Sequence, residues 1–152
     1  PRSNAMMTEH PVIELGRKEQ KALKEFLKVL QGERDAIISF SLEGIIQENN
    51  RKEEILRKLE FLKGERDKLL ESMTDREEIL NSPAWTTLAK SMQHTMGEVK
   101  IALQKNMKLL SFSVDHVKSS IDHIVTFINN SSSTPTYGKK QEQKPMLLSR
   151  VI

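Results

Sequence analysis

The stretch from Pro83 to Asn129 constrains this chain more than any other. Its large apolar residues are Trp85, Leu88, Met92, Met96, Val99, Leu103, Met107, Leu110, Val114, Val117, Ile121, Ile124 and Ile128. Every step between neighbours is three or four residues, which keeps all of them on one side of an α-helix and fits no strand. From Leu103 onward the steps alternate four and three, the period of helices wound into a left-handed supercoil. The double fours around Met92 and Leu103 read as stutters that unwind it locally. The segment makes a rod on the order of 70 Å long. A single helix cannot bury such a stripe, so the rest of the chain, or a second chain, has to cover it.

What else covers it is bounded by composition. A chain of 152 residues with 37% hydrophobic and 30% charged side chains is expected to be one soluble helical domain. Aromatic residues make up only 5%, thin for a globular core and ordinary for a coiled bundle built on Leu, Ile, Val and Met. There is no cysteine, which excludes disulfides, thiolate metal sites and cysteine nucleophiles. No apolar run approaches the roughly eighteen residues of a membrane span, so membrane insertion is not expected and the cytoplasm is the expected compartment. Residues 1–5 read as an expression-tag remnant ahead of Met6 and Met7. The formal charge of +3 resides in the tail, where Lys139, Lys140, Lys144 and Arg150 face only Glu142. The body therefore carries no net charge and lacks the footprint of a nucleic-acid binder.

Three long helices are expected, at about 9–39, 42–73 and 83–129, packed as an elongated antiparallel three-helix bundle or coiled coil over residues 6–129. The first presents Leu23, Phe26, Leu27, Leu30, Ile37 and Ile38, with Ile13 ahead of them. Ser39, Phe40 and Ser41 offer a break, with Ser41 as N-cap of the second helix. That helix would turn Leu42, Ile45, Asn49, Leu56, Leu59, Leu62, Leu69 and Met73 inward. Thr74 to Glu77 has the capping-box spacing and would open a short helix through Leu80. Ser82 and Pro83 then start the long helix as N-cap and first helical residue. Trp85, Leu88, Leu103, Leu110 and Leu59 are expected on the buried seam. The near-copies LQGERD at Leu30 and LKGERD at Leu62 have no third member and read as coincidence in a Lys/Glu/Leu-rich chain. Residues 130–152 form a polar tail, interrupted by Tyr137-Gly138 and closed by Met146, Leu147, Leu148, Val151 and Ile152. Such a terminal apolar cluster is expected to dock on apolar surface of its own bundle or of another copy.

Catalysis is not expected. His116 and His123 share a helix face but stand about 10 Å apart, too far for one metal ion. His94 and Glu98 have ligand spacing, yet two groups do not make a site. The paired carboxylates Glu53-Glu54 and Glu77-Glu78 lie on Lys/Arg-rich faces as solvated ion pairs. No phosphate loop, nucleophile elbow or zinc-protease helix occurs, and no catalytic, cofactor-binding or metal-ligating residue is assigned.

A set of residues spread over the chain resembles the FlgN family of flagellar type III export chaperones. It comprises Glu33, Ala36 and Ile37, then a helix break, then Lys52, Ile55, Leu56, Leu59, Leu62, Arg66, Leu69 and Leu70. Trp85 opens the third helix, Asn106 precedes Leu109 and Leu110, and Tyr137-Gly138 stands in the tail. The second asparagine that the family pattern carries one turn earlier is absent near Leu103, and Gln141 stands in the region of a further tail glycine. The resemblance implies a cytoplasmic chaperone that masks the amphipathic helical ends of the hook-filament junction proteins FlgK and FlgL. It would deliver them to the flagellar export apparatus. It implies client contact through Val114, Val117, Ile121, Ile124 and Ile128 and the tail residues Leu147 and Leu148, and export-gate docking through Tyr137 and Gly138. Met92, Met96 and Met107 are either adaptable client contacts or core filler. The residue pattern equally suits a self-associating structural or adaptor coiled coil.

Overall fold

The structure, a computed structural model, describes residues 9–131. All regular structure among them is helical: α1 Pro11–Ile38, α2 Leu42–Ser72, α3 Arg76–Leu80 and α4 Pro83–Ser131. The all-α expectation is met, and the long helices start and stop within about two residues of the expected bounds. The tag remnant at 1–5, the pair Tyr137-Gly138 and the terminal cluster with Leu147 and Leu148 lie outside the described residues. The chain divides after Asn106 into two compact units.

Local chemistry sets the helix ends in the first unit. His10 caps α1, its ring Nδ1 accepting from the Val12 N–H at 3.1 Å, with Pro11 in the first turn. At the other end the Ser41 N–H donates to the Ala36 carbonyl at 2.8 Å and the Phe40 N–H to the Ile37 carbonyl at 3.1 Å. This is a Schellman closure, and it places Phe40 at φ 55, the left-handed region usually given to glycine. Ser41 then caps α2 as expected, accepting from the Gly44 N–H at 3.1 Å. Ser82 caps α4 likewise, accepting from the Trp85 N–H at 3.3 Å. The capping box at Thr74 does not form. Met73 leaves α2 in extended backbone, and α3 starts one residue late on Asp75, which makes no side-chain cap bond.

Two apolar clusters hold this unit together. Val12 and Ile13 at the start of α1 meet Trp85 and Leu88 at the start of α4, with Leu69 and Leu70 from the end of α2 packed against them. Further along, Phe26, Val29 and Leu30 meet Ile55 and Leu59 of α2 and Val99, Ala102 and Leu103 of α4. The order of these contacts makes α2 antiparallel to α1, while residues 83–106 of α4 run beside α1 in the same sense. Ile79 and Leu80 of α3 cover the first cluster.

The α4 seam differs from the expected one in a systematic way. Thr95 and Asn106 are buried, whereas their neighbours Met96 and Met107 are exposed. The centre of the seam that meets α1 and α2 therefore runs Trp85, Leu88, Met92, Thr95, Val99, Ala102 and Asn106, a regular alternation of three and four, with Ala89 and Leu103 packed beside it. Choosing the nearest apolar residue moved the stripe off the seam by one position at 96 and 107. The stutters around Met92 and Leu103 are products of that choice.

Other expected core positions are also exposed. Leu42, the first residue of α2, is 70% exposed. Ile38, Asn49 and Leu56 face solvent from the flanks of a narrow helix-helix contact. Leu110 is 41% exposed, against the expectation of burial. It belongs to the second unit, where the 107–131 part of α4 is the only described element, and a lone helix cannot bury its own stripe.

Candidate functional site

Three polar arrangements tie the helices of the first unit at fixed levels. The Asn106 Nδ2 donates to the Leu30 carbonyl at 2.8 Å and to Glu33 Oε1 at 3.0 Å. The other oxygen of Glu33 meets the Lys52 ammonium at 2.5 Å, so α1, α2 and α4 each contribute one member. Nearer the other end, the Arg66 Nη2 donates to Glu19 Oε1 at 3.1 Å. Its Nε stands 2.8 Å from Glu19 Oε2 as an ion contact rather than an aligned hydrogen bond. The same guanidinium lies 5.3 Å from the centre of the Trp85 ring, a cation-π geometry worth about 0.5–2 kcal/mol. Between these levels the Gln20 Nε2 donates to Ser91 Oγ at 2.9 Å and Thr95 Oγ1 at 3.0 Å.

These groups tie the three long helices to one another. Both buried carboxylates already face a cation, and losing one partner of such a pair costs about 3–5 kcal/mol because the other charge is left in a poor solvent. Most residues that carry the family resemblance belong to this framework: Glu33, Ala36, Ile37, Lys52, Ile55, Leu62, Arg66, Trp85 and Asn106. Leu56 and Leu110 do not, being exposed. His94 pairs with Glu98 at 3.4 Å on the surface. Among the described residues no group of three His, Asp or Glu side chains is placed to hold a metal ion. At the start of α1 the Arg17 guanidinium donates to both oxygens of Glu9 at 2.7 Å. That bond holds the Glu9 carboxyl below its ordinary range and pushes Arg17 up.

The second unit presents a surface of a different kind. Of the residues expected to contact clients, Val117, Ile124 and Ile128 are exposed, while Val114 and Ile121 are half-buried. Met107 and Leu110 extend the same stripe, also exposed. Heptad spacing keeps all seven within one side of the helix. Phe112 and Phe127, each 72% exposed, fall on the far side of the helix from the stripe, where its spacing gives no signal for them. They lie on the face of His116 and His123, at successive spacings of four, seven and four. The remaining expected contacts, Leu147 and Leu148, and the docking pair Tyr137 and Gly138, are outside the described residues. Met96 is exposed and Met92 half-buried against the first cluster, so the methionines divide between surface and core.

No helix among the described residues is long and apolar enough to cross a membrane. No curated protein and no solved structure matches the chain. The family model described as "FlgN protein" matches residues 6–145, most of the chain. Taken with a helical framework built from the residues that carry the resemblance, this match places the chain in the FlgN family of flagellar chaperones.

Proposed function

We propose that the chain is a cytoplasmic export chaperone. It would bind the amphipathic helical ends of hook-filament junction proteins of the FlgK and FlgL type and hand them to the flagellar export apparatus. The observation that carries this reading is the apolar stripe from Met107 to Ile128, at coiled-coil spacing, on a helical segment that no other described element of its unit covers. On this reading α1, α2 and α4 form an elongated three-helix bundle, and the stripe is the working surface. A client whose own helix packs only after assembly would otherwise expose an apolar face and associate prematurely. Laying that helix along α4 masks it, each fully buried Val, Leu or Ile contributing about 1.5–3 kcal/mol before ordering costs. Leu147 and Leu148 either add to this surface or compete for it, and Tyr137-Gly138 would meet the export gate.

Co-purification of the full chain with carboxy-terminal fragments of FlgK and FlgL tests the proposal. The double replacement Val117→Ser and Ile124→Ser should abolish capture while leaving the helical content unchanged. Capture that survives it would move the client site elsewhere. A second reading rests on the regularity of the stripe, since alternating threes and fours also make a seam between two copies of one chain. Sedimentation of the free chain separates the two. A monomer that gains helix on meeting a client supports the chaperone, and a dimer that ignores both fragments supports a structural coiled coil.

A further inference from the structure

The turn between α1 and α2 holds an apolar tip in water. Ile38, Phe40, Leu42 and Ile46 are 52–70% exposed, all within the first unit. Leu42 and Ile46 share one face of α2. The two helix ends meet closely, since a Cβ built at Gly44 would stand 3.0 Å from that of Ala36. Phe40 is the least expected member. Its left-handed backbone is strained for a bulky residue, and glycine would close α1 without the strain and without a ring in water.

Charge gives this patch a preference. Along residues 34–48 the carboxylates Asp35, Glu43 and Glu48 face a single cation, Arg34. Glu48 meets Arg51 at 3.9 Å, but Asp35 and Glu43 are exposed and have no ion-pair partner among the described residues. The complement of such a patch is an apolar segment that carries cations, and the chain contains one. Residues 139–152 hold Lys139, Lys140, Lys144 and Arg150 against Glu142, together with the apolar cluster of 146–152. The stripe of the second unit is apolar as well. Between Met107 and Ser131, however, Lys108 and Lys118 balance Asp115 and Asp122, so that face does not select a cationic segment.

We propose that in the free chain segment 139–152 docks on the α1–α2 tip of its own molecule, its apolar residues on Ile38, Phe40, Leu42 and Ile46 and its cations beside Asp35 and Glu43. Chain length permits this whatever the direction of the helix beyond Asn106. Asn106 is bonded to Glu33, little more than one turn before Ile38. From Asn106 to Ser131 α4 rises about 37 Å. Residues 146–152 follow Ser131 by about 50–70 Å of extended chain, so the segment can return to the tip. Tethering then sets an effective concentration of about the millimolar range, at which a weak contact suffices. The proposal does not depend on the client reading.

The chain has no cysteine, so a nitroxide on Ser149→Cys reports the position of the segment from a single site. In the isotope-labelled full chain it should broaden the backbone amide resonances of residues 38–46. In a mixture of isotope-labelled chains without nitroxide and nitroxide-bearing chains without isotope, the same resonances should stay sharp. Leu42→Ser with Ile46→Ser should lower the broadening about fivefold or more. Asp35→Asn with Glu43→Gln should lower it about threefold. All four positions are exposed, so the fold survives either change, and Phe40 stays in place because its replacement would also relieve the backbone. Val117→Ser with Ile124→Ser should leave the broadening unaltered. The proposal is overturned if the tip resonances stay sharp in the doubly labelled chain, if they broaden equally in the mixture, or if neither tip variant changes them. Loss of the broadening in Val117→Ser with Ile124→Ser overturns it too.

Discussion

Gly16 is the residue at which the packing of α1 on α4 is most sharply testable. A Cβ built there would stand 2.6 Å from Leu88 Cδ2 and 2.9 Å from Trp85 Cζ3. Carbon atoms touch at roughly 3.5 Å, so both contacts are overlaps. Neither neighbour has room to retreat, since Leu88 and Trp85 are buried in the same cluster and the Arg66 guanidinium covers the indole. Two effects of opposite sign compete in Gly16→Ala. Replacing a mid-helix glycine gains about 1 kcal/mol from the lost freedom of the unfolded chain. Overpacking a filled core costs about 1–3 kcal/mol, and two simultaneous overlaps belong at the upper end. The expected net is a loss of about 1–2 kcal/mol, or roughly 2–8 °C in Tm for a chain of this size. Gly64→Ala is the control, because nothing lies within 4 Å of its Cβ and only the propensity gain remains. Urea unfolding followed by circular dichroism should move the two variants in opposite directions with unchanged slopes. A Gly16→Ala chain as stable as the parent would refute the close approach of α1 to α4, and with it the first apolar cluster as described.

Three further outcomes follow from the framework. Glu33→Ala should cost about 3–5 kcal/mol in urea unfolding, and Glu33→Leu combined with Lys52→Met should cost much less, because the pair then leaves no charge uncompensated. Phe40→Gly should raise stability by about 1 kcal/mol, since the ring is 61% exposed and its left-handed backbone is strained. In an NMR titration the Glu9 carboxyl should have its midpoint below the ordinary 4.5, returning towards it in Arg17→Ala. Because that pKa is depressed in the folded chain, the contact's stabilising contribution is present above the unfolded value. It is lost as pH falls through the folded one.

Helix positions were legible because their ends are written in side-chain chemistry: Ser41 and Ser82 accept from the amides of the following turn as hydroxyl caps do. The ends of α1 fall where they were expected, but the residues that close them are unusual. A histidine ring nitrogen caps α1, and a phenylalanine takes the left-handed position after it, where glycine is the usual signal. The core of α4 was read correctly at Trp85, Leu88, Met92 and Val99 and misread at positions 96 and 107. A hydrophobicity pattern cannot rank Thr95 above Met96, or Asn106 above Met107. What buries the polar residue is a hydrogen bond to a side chain about 75 positions away, Gln20 in one case and Glu33 in the other. Asn106 entered through the family resemblance, which registers such a partner without naming it.

The same contrast bears on what the two parts of α4 do. Within the first unit the seam contains polar members whose partners lie in the same chain, and a buried polar pair specifies one register because any slip strands both groups. Beyond Asn106 the stripe from Met107 to Ile128 contains only Met, Leu, Val and Ile. Nothing in it penalises a shift by one heptad, and its leading methionine is the most adaptable of apolar side chains. On the proposed reading, a seam built this way suits clients of different helical sequence better than one fixed partner. On the proposed reading, inserting a polar residue at its centre, Val117→Asn, should therefore do more than weaken capture. It should narrow it, lowering affinity for clients that place an apolar residue opposite by about tenfold while sparing one that carries a polar residue at the same level. Equal loss for every client would show that the stripe contributes affinity alone, and that the choice among partners is made elsewhere.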